Sequence, residues 1–169
     1  MKRESGFSLI ELLIVVAIIL IIAAIAIPSL VRARIAANES SAAASIRTIG
    51  TGQVAYETSF PTIGFAAALV NLGPGVGNTT CPAAGPVAAG ACIIDATLAS
   101  GNKSGFLIFT AGAGGPPATT MVSNAYPVTF NSTGVKQFCA IEDNVIRFVS
   151  PSTGAAESNA ACQLLTVMQ

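Results

Sequence analysis

The sequence contains no histidine and no tryptophan, and only 9% of its residues are charged. Histidine is the side chain that most readily serves as a base near neutral pH and the commonest metal ligand. Its absence leaves enzymatic chemistry with little support. No pair of carboxylates is placed for acid–base work, and no glycine loop is built to cradle phosphate. The four cysteines never fall in a Cys-x-x-Cys spacing, which argues against both a zinc centre and a dithiol active site. Eight basic residues balance eight acidic ones. A net charge of zero provides no basic field for nucleic acid. The sequence thus calls for no catalytic residue, no metal and no cofactor.

Apolar residues are plentiful, at 52% of the chain. They are concentrated after a short charged start, Met1-Lys2-Arg3-Glu4-Ser5-Gly6. From Leu12 to Ile27 no residue is charged. The run to about Leu30 is long enough for one bilayer crossing, which needs roughly 17–25 residues. An ordinary secretory signal would end in a small-residue cleavage site after the apolar stretch, and none follows here. The junction that looks cleavable lies before it, between Gly6 and Phe7. Gly6 has no side chain to hinder the close approach of a protease to the backbone. A cut there would free an amine on Phe7, four residues ahead of Glu11. A carboxylate within a membrane helix costs about 2.5–3.5 kcal/mol at the helix centre, so it usually has a partner. Glu11 and the Phe7 amine of a neighbouring chain would satisfy each other, which suggests a subunit built to polymerise. The competing reading is a monomeric single-pass anchor carrying a small binding domain, which would leave Glu11 unpaired.

The segment Gly6-Phe7-Ser8-Leu9-Ile10-Glu11-Leu12 resembles the prepilin-peptidase motif of type IV pilins and of their relatives, the pseudopilins of type II secretion. The likeness takes in the leader, the Gly-Phe junction, Glu11, the apolar run and Pro28. Beyond that it is one of general architecture. The resemblance implies cleavage after Gly6, N-methylation of Phe7 and local melting of the helix at Pro28 in an assembled filament. It also implies partners: a prepilin peptidase that is also the N-methyltransferase, an inner-membrane assembly machinery, and further copies of the chain in a helical filament. The structural subunit of a type IV pilus is the favoured reading, and a type II secretion pseudopilin is the alternative. Ser8, Ala17, Ala23, Ala24 and Ala26 are small positions that permit close helix approach.

The chain divides into a leader at 1–6, a transmembrane and polymerisation helix at 7–30, and an exported globular domain at 31–169. Lys2 and Arg3 flank one side of the apolar run and Arg32 and Arg34 the other, so positive charge alone does not orient it. Four cysteines in the long C-terminal part favour an oxidising compartment for that part. The precursor is therefore expected in the inner membrane with its leader cytoplasmic, and the mature chain in a periplasm-spanning or cell-surface filament. The cysteines allow three pairings. Adjacent pairing, Cys81–Cys92 and Cys139–Cys162, is the expected one. The second pair would staple the tail to a strand, and the resemblance supports it.

The helix is expected to continue past Pro28 to Pro61, about 50 residues in all, since proline kinks a helix interior and stops it at its end. Ile35, Ala42, Ile46, Ile49, Gln53, Tyr56 and Phe60 form one stripe with a polar intruder, Gln53. Arg32, Arg34, Asn38, Glu39, Ser40, Arg47 and Glu57 form the opposite, polar face. A Gly- and Pro-rich connection follows over residues 62–103, with short helices predicted at Phe65–Leu72 and Cys92–Ala99. Strands are predicted at 105–110, 126–130, 135–141 and 145–149, with 111–120 a loop. Three or four antiparallel strands packed on the stripe give an α+β, pilin-like roll. Glu142-Asp143-Asn144 is read as a hairpin turn in preference to a calcium site, because it supplies too few oxygens.

Overall fold

The computed structural model describes residues 8–83 and 85–168. The chain divides between Arg34 and Ile35 into two compact units. Helix α1, Leu9–Ser59, contributes its first part to one and its second part to the other.

In the first unit the helix is apolar on every side, and none of its most apolar stretch is buried. Such a sequence is helical because all of its backbone donors and acceptors can be satisfied within the segment, as a lipid surrounding demands. Pro28 lies inside α1. It has no N–H to offer the carbonyl of Ala24.

In the second unit, α1 buries Ala42, Ala43, Ser45, Ile46, Ile49, Gly50, Gly52, Gln53 and Tyr56. The set contains Ala42, Ile46, Ile49, Gln53 and Tyr56 of the expected stripe, whereas Ile35 and Phe60 are half-buried. The helix ends at Ser59, two residues before Pro61, with the Phe60 N–H still donating to Tyr56. Two short helices follow, α2 at Leu69–Leu72 and α3 at Ala96–Ala99. Both are the C-terminal ends of the longer helices predicted there. Asp95 caps α3 by accepting from the Leu98 N–H at 2.8 Å.

The sheet is a six-stranded antiparallel meander. Its strands are β1 (Asn102–Lys103), β2 (Phe106–Ala113), β3 (Thr120–Pro127), β4 (Gln137–Ile141), β5 (Arg147–Val149) and β6 (Thr166–Val167). The α+β architecture is the expected one. The sheet has two more strands than the upper expectation, because β1 and β6 are two-residue edges that carry no periodic pattern to read. The strand predicted at 126–130 lies instead at Thr120–Pro127, and much of the predicted loop over 111–120 is strand. Full pairing of β2 with β3, from Phe106 opposite Pro127 to Ala113 opposite Thr120, accounts for the shift. Pro127 takes the last position of its strand, beyond the stretch Val122–Ala125 that pairs with β4.

One face of the sheet meets α1. Ile46, Ile49 and Tyr56 pack with Leu69, Leu72, Ile94, Leu98, Phe106, Ile108, Ala125 and Phe138. Each fully buried large aliphatic or phenyl side chain contributes about 1.5–3 kcal/mol. Gln53 lies fully buried within this layer. Its Oε1 accepts from the Ala66 N–H at 2.7 Å, and its Nε2 donates to the Ala66 carbonyl at 3.1 Å and to Thr110 Oγ1 at 2.9 Å. Thr110 in turn lies 2.8 Å from Ser123 Oγ. The polar intruder in the stripe is thus a clamp between helix, loop and sheet.

Gly50 allows a close approach of a different kind. A Cβ there would strike Oδ1 of Asn144, so the residue that weakens the helix in isolation makes room for the β4–β5 turn. The polar face of α1 is only partly solvated. Asn38 donates to the Thr133 carbonyl at 3.0 Å, and Glu39 accepts from the backbone N–H groups of Val135 and Lys136 at 2.8 and 3.0 Å.

The other face of β3 and β4 is covered by the C-terminal segment. Asn124 and Gln137 are fully buried beneath it. Asn124 exchanges two hydrogen bonds with the Glu157 backbone, at 2.9 and 3.0 Å, and Gln137 Nε2 donates to the Ala155 carbonyl at 2.6 Å. Ser158 then caps the short helix α4, Asn159–Gln163, which carries Cys162. With both faces covered, every residue of β4 is buried.

Candidate assembly site

Glu11 lies in the first turn of α1 and is exposed. Its Oε2 accepts from the Ser8 N–H at 2.9 Å, while the Glu11 and Leu12 N–H groups meet the Ser8 carbonyl at 3.1 and 3.3 Å. Ser8-Leu9-Ile10-Glu11 thus forms the carboxylate half of a capping box, in which an acid three residues in reaches back to an orphan N–H. Negative charge is also favoured at this end by the helix dipole. The Ser-x-x-Glu spacing announced this role in the sequence, and attention to the Gly-Phe junction alone misses it. Gly6 and Phe7 lie outside the described residues.

Around this cap the helix presents only hydrocarbon. Leu9, Ile10, Leu12, Leu13, Ile14 and the large apolar residues that follow to Leu30 are all exposed, with Leu9 at 80% and Leu30 at 71%. In water each such side chain forgoes about 1.5–3 kcal/mol of burial. The segment is long and apolar enough to cross a membrane, by length and composition. The same physics makes it adhesive toward further helices of its kind.

The cysteines are paired in the structure as Cys81–Cys92 and Cys139–Cys162, with Cα separations of 5.8 and 6.1 Å. The second bridge ties α4 to the buried strand β4 and packs with Ile141, Val122 and Leu165. Tyr56 anchors the loop closed by the first bridge, donating from its hydroxyl to the Ala88 carbonyl at 2.7 Å. Burial holds that hydroxyl above the usual tyrosine pKa.

The acids of the 142–144 turn are engaged within the chain. Glu142 accepts from Asn159 at 2.7 Å, and Asp143 accepts from the Val145 N–H at 2.9 Å and from Arg147 at 2.6 and 3.1 Å. The Arg147 hydrogen bond holds the Asp143 carboxyl below its ordinary range, against the opposing effect of partial burial. A lowered folded pKa contributes stability that is present above the unfolded value and fades as pH falls through the folded one. Asp143→Asn is therefore expected to melt below wild type at pH 7. The gap should close as pH drops below the ordinary Asp value of about 3.9. Melting curves across that range check it, and a gap unchanged by acid would assign the difference to something other than the ion pair.

Residues 1–27 match the family model of the prokaryotic N-terminal methylation motif. This is a pilin-type N-terminus. The chain is also 44% identical over 54 residues to the type IV major pilin protein PilA of Myxococcus xanthus. It is 46% identical over 57 residues to the type IV wide pilus major component PilA4 of Thermus thermophilus. These stretches cover 32% and 34% of this chain, but only 24% and 44% of the two relatives. No solved structure matches the chain. The pilin-type signature thus coincides with the part of the molecule that the fold leaves uncovered. The pilin-like α+β unit carries the rest.

Proposed function

We propose that the chain is the structural subunit of a type IV pilus-like filament. It is inserted as a single-pass precursor, cleaved between Gly6 and Phe7 by a prepilin peptidase that also methylates Phe7, and assembled through α1. The observation that carries this reading is the uncovered apolar helix from Leu9 to Leu30 with a single carboxylate, Glu11, in its first turn. In the membrane lipid covers the helix, and in a filament the helices of other copies do. Glu11 then exchanges its self-made cap on Ser8 for the Phe7 amine of the adjacent subunit, which sets axial register. Pro28 supplies the place where the helix adapts during packing. The relatives named as pilus components support this reading over that of a monomeric anchor.

Processing tests it first. N-terminal sequencing and intact mass of the membrane-extracted protein are expected to give a chain starting at Phe7. A start at Met1, or a cut after Ala26, would overturn the reading. Gly6→Val is expected to accumulate uncleaved precursor, because a β-branched side chain obstructs the protease. Electron microscopy of sheared surface fractions should then show filaments that react with antibody to the globular unit. Short filaments confined to the periplasm would identify a pseudopilin instead.

A further inference from the structure

The two disulfides sit in opposite environments. Cys139 and Cys162 are both fully buried, under the C-terminal segment and against Ile141. Cys81 is exposed and Cys92 is half-buried. The chain leading to Cys81 is also open: every residue from Val76 to Cys81 is exposed. Among the described residues, Thr79, Thr80 and Cys81 make no backbone hydrogen bond, and Pro82 has no N–H to give.

Thiol–disulfide exchange requires a thiolate to reach one sulfur in line with the bond, so access decides which sulfur is attacked. Cys81 has that access, and Cys139 and Cys162 do not.

We propose that Cys81–Cys92 is an exchange site at which a dithiol partner attacks the Cys81 sulfur, while Cys139–Cys162 stays closed. One thiolate of the partner bonds to Cys81 Sγ. The Cys81–Cys92 bond breaks, and Cys92 leaves as a thiolate that takes a proton from water. The partner's second thiolate attacks its own sulfur in the mixed disulfide, and Cys81 leaves and is protonated in turn. Two electrons pass to the cysteine pair, and the dithiol ends as a disulfide. The run in the other direction closes the bond. The 82–91 loop would then depend on non-covalent ties, namely the Tyr56 and Asn71 hydrogen bonds to Ala88 and those of Ala91 and Cys92 to α2 and Gly73.

The test uses full-length protein in detergent, with dithiothreitol as the dithiol and alkylation read by peptide mapping. Under native conditions Cys81 and Cys92 should be alkylated at least about tenfold faster than Cys139 and Cys162, because the rate follows access. In guanidinium the two pairs should react together. With glutathione as a monothiol probe, the trapped adduct should sit on Cys81. Equal native rates, prior opening of Cys139–Cys162, a difference that survives denaturation, or an adduct on Cys92 would each overturn the proposal. Limited proteolysis gives a second readout: selective reduction should expose cleavage sites within 82–91 and leave 102–168 protected, whereas an unchanged digest would contradict the release of the loop.

Discussion

Glu11→Val is expected to abolish filaments while leaving insertion, cleavage and the fold of the distal unit intact. Within its own chain Glu11 makes a cap on Ser8, and losing a helix cap costs about 0.5–2 kcal/mol. Leaving the Phe7 amine of a neighbour unpaired in the filament costs more, about 3–5 kcal/mol. At about 1.4 kcal/mol per tenfold, subunit addition weakens by two to three orders of magnitude or more. The penalty recurs with every subunit, so polymer yield should fall to nothing. Glu11→Gln separates the two roles. Its amide oxygen can still accept from the Ser8 N–H, but it carries no charge. If pairing drives assembly, the Gln and Val variants fail alike, as measured by electron microscopy of sheared fractions beside a blot for total mature protein. Normal filaments from Glu11→Gln would reduce the residue to a helix cap, and normal filaments from Glu11→Val would remove it from assembly altogether.

Gln53→Leu is expected to destabilise the globular unit. Leucine is close to glutamine in size, so little cavity results. What is lost is the partner of the Ala66 N–H, while the Ala66 carbonyl keeps the Gly112 N–H and Thr110 Oγ1 keeps the Val122 carbonyl and Ser123. A buried donor left unsatisfied costs about 1–3 kcal/mol. For a domain of this size that lowers the melting temperature by roughly 3–15 °C. Thr110→Val should cost a comparable amount, because both bonds between Gln53 and Ala66 survive it but the buried Ser123 hydroxyl loses its partner. Denaturant unfolding of detergent-solubilised protein measures both. A Gln53→Leu variant within about 1 kcal/mol of wild type would be inconsistent with the cost of buried unsatisfied groups.

The same residue shows where sequence reading stops. The stripe of Ala42, Ile46, Ile49 and Tyr56 was legible because helical periodicity is a local property. Gln53 fell on the stripe and read only as an intruder, since its partners lie 13 and 57 residues away in Ala66 and Thr110. Strand β3 was misplaced for a related reason. Ser123 and Asn124 look like loop residues, yet both are fully buried. Hydrogen bonds with Thr110 and Glu157 make their burial tolerable. Glu39 and Asn38 fell on the polar face of the helix, and they hydrogen-bond to the 133–136 loop.

The N-terminal site is the opposite case. Everything that defines it lies within a few residues of one helix: the charged start, the Gly-Phe junction, Glu11 and an apolar run uninterrupted by charge. The sequence by itself determined that segment, its membrane-crossing length and its pilin-type character, because hydropathy and short spacings do not depend on what the distant chain does. Only the tertiary structure decided that Gly50 makes room for Asn144, that Gln53 clamps Ala66, and that one disulfide is buried while the other stands open. Those properties depend on which remote groups are brought into contact, and burial of a polar group is favourable only once its partner has arrived.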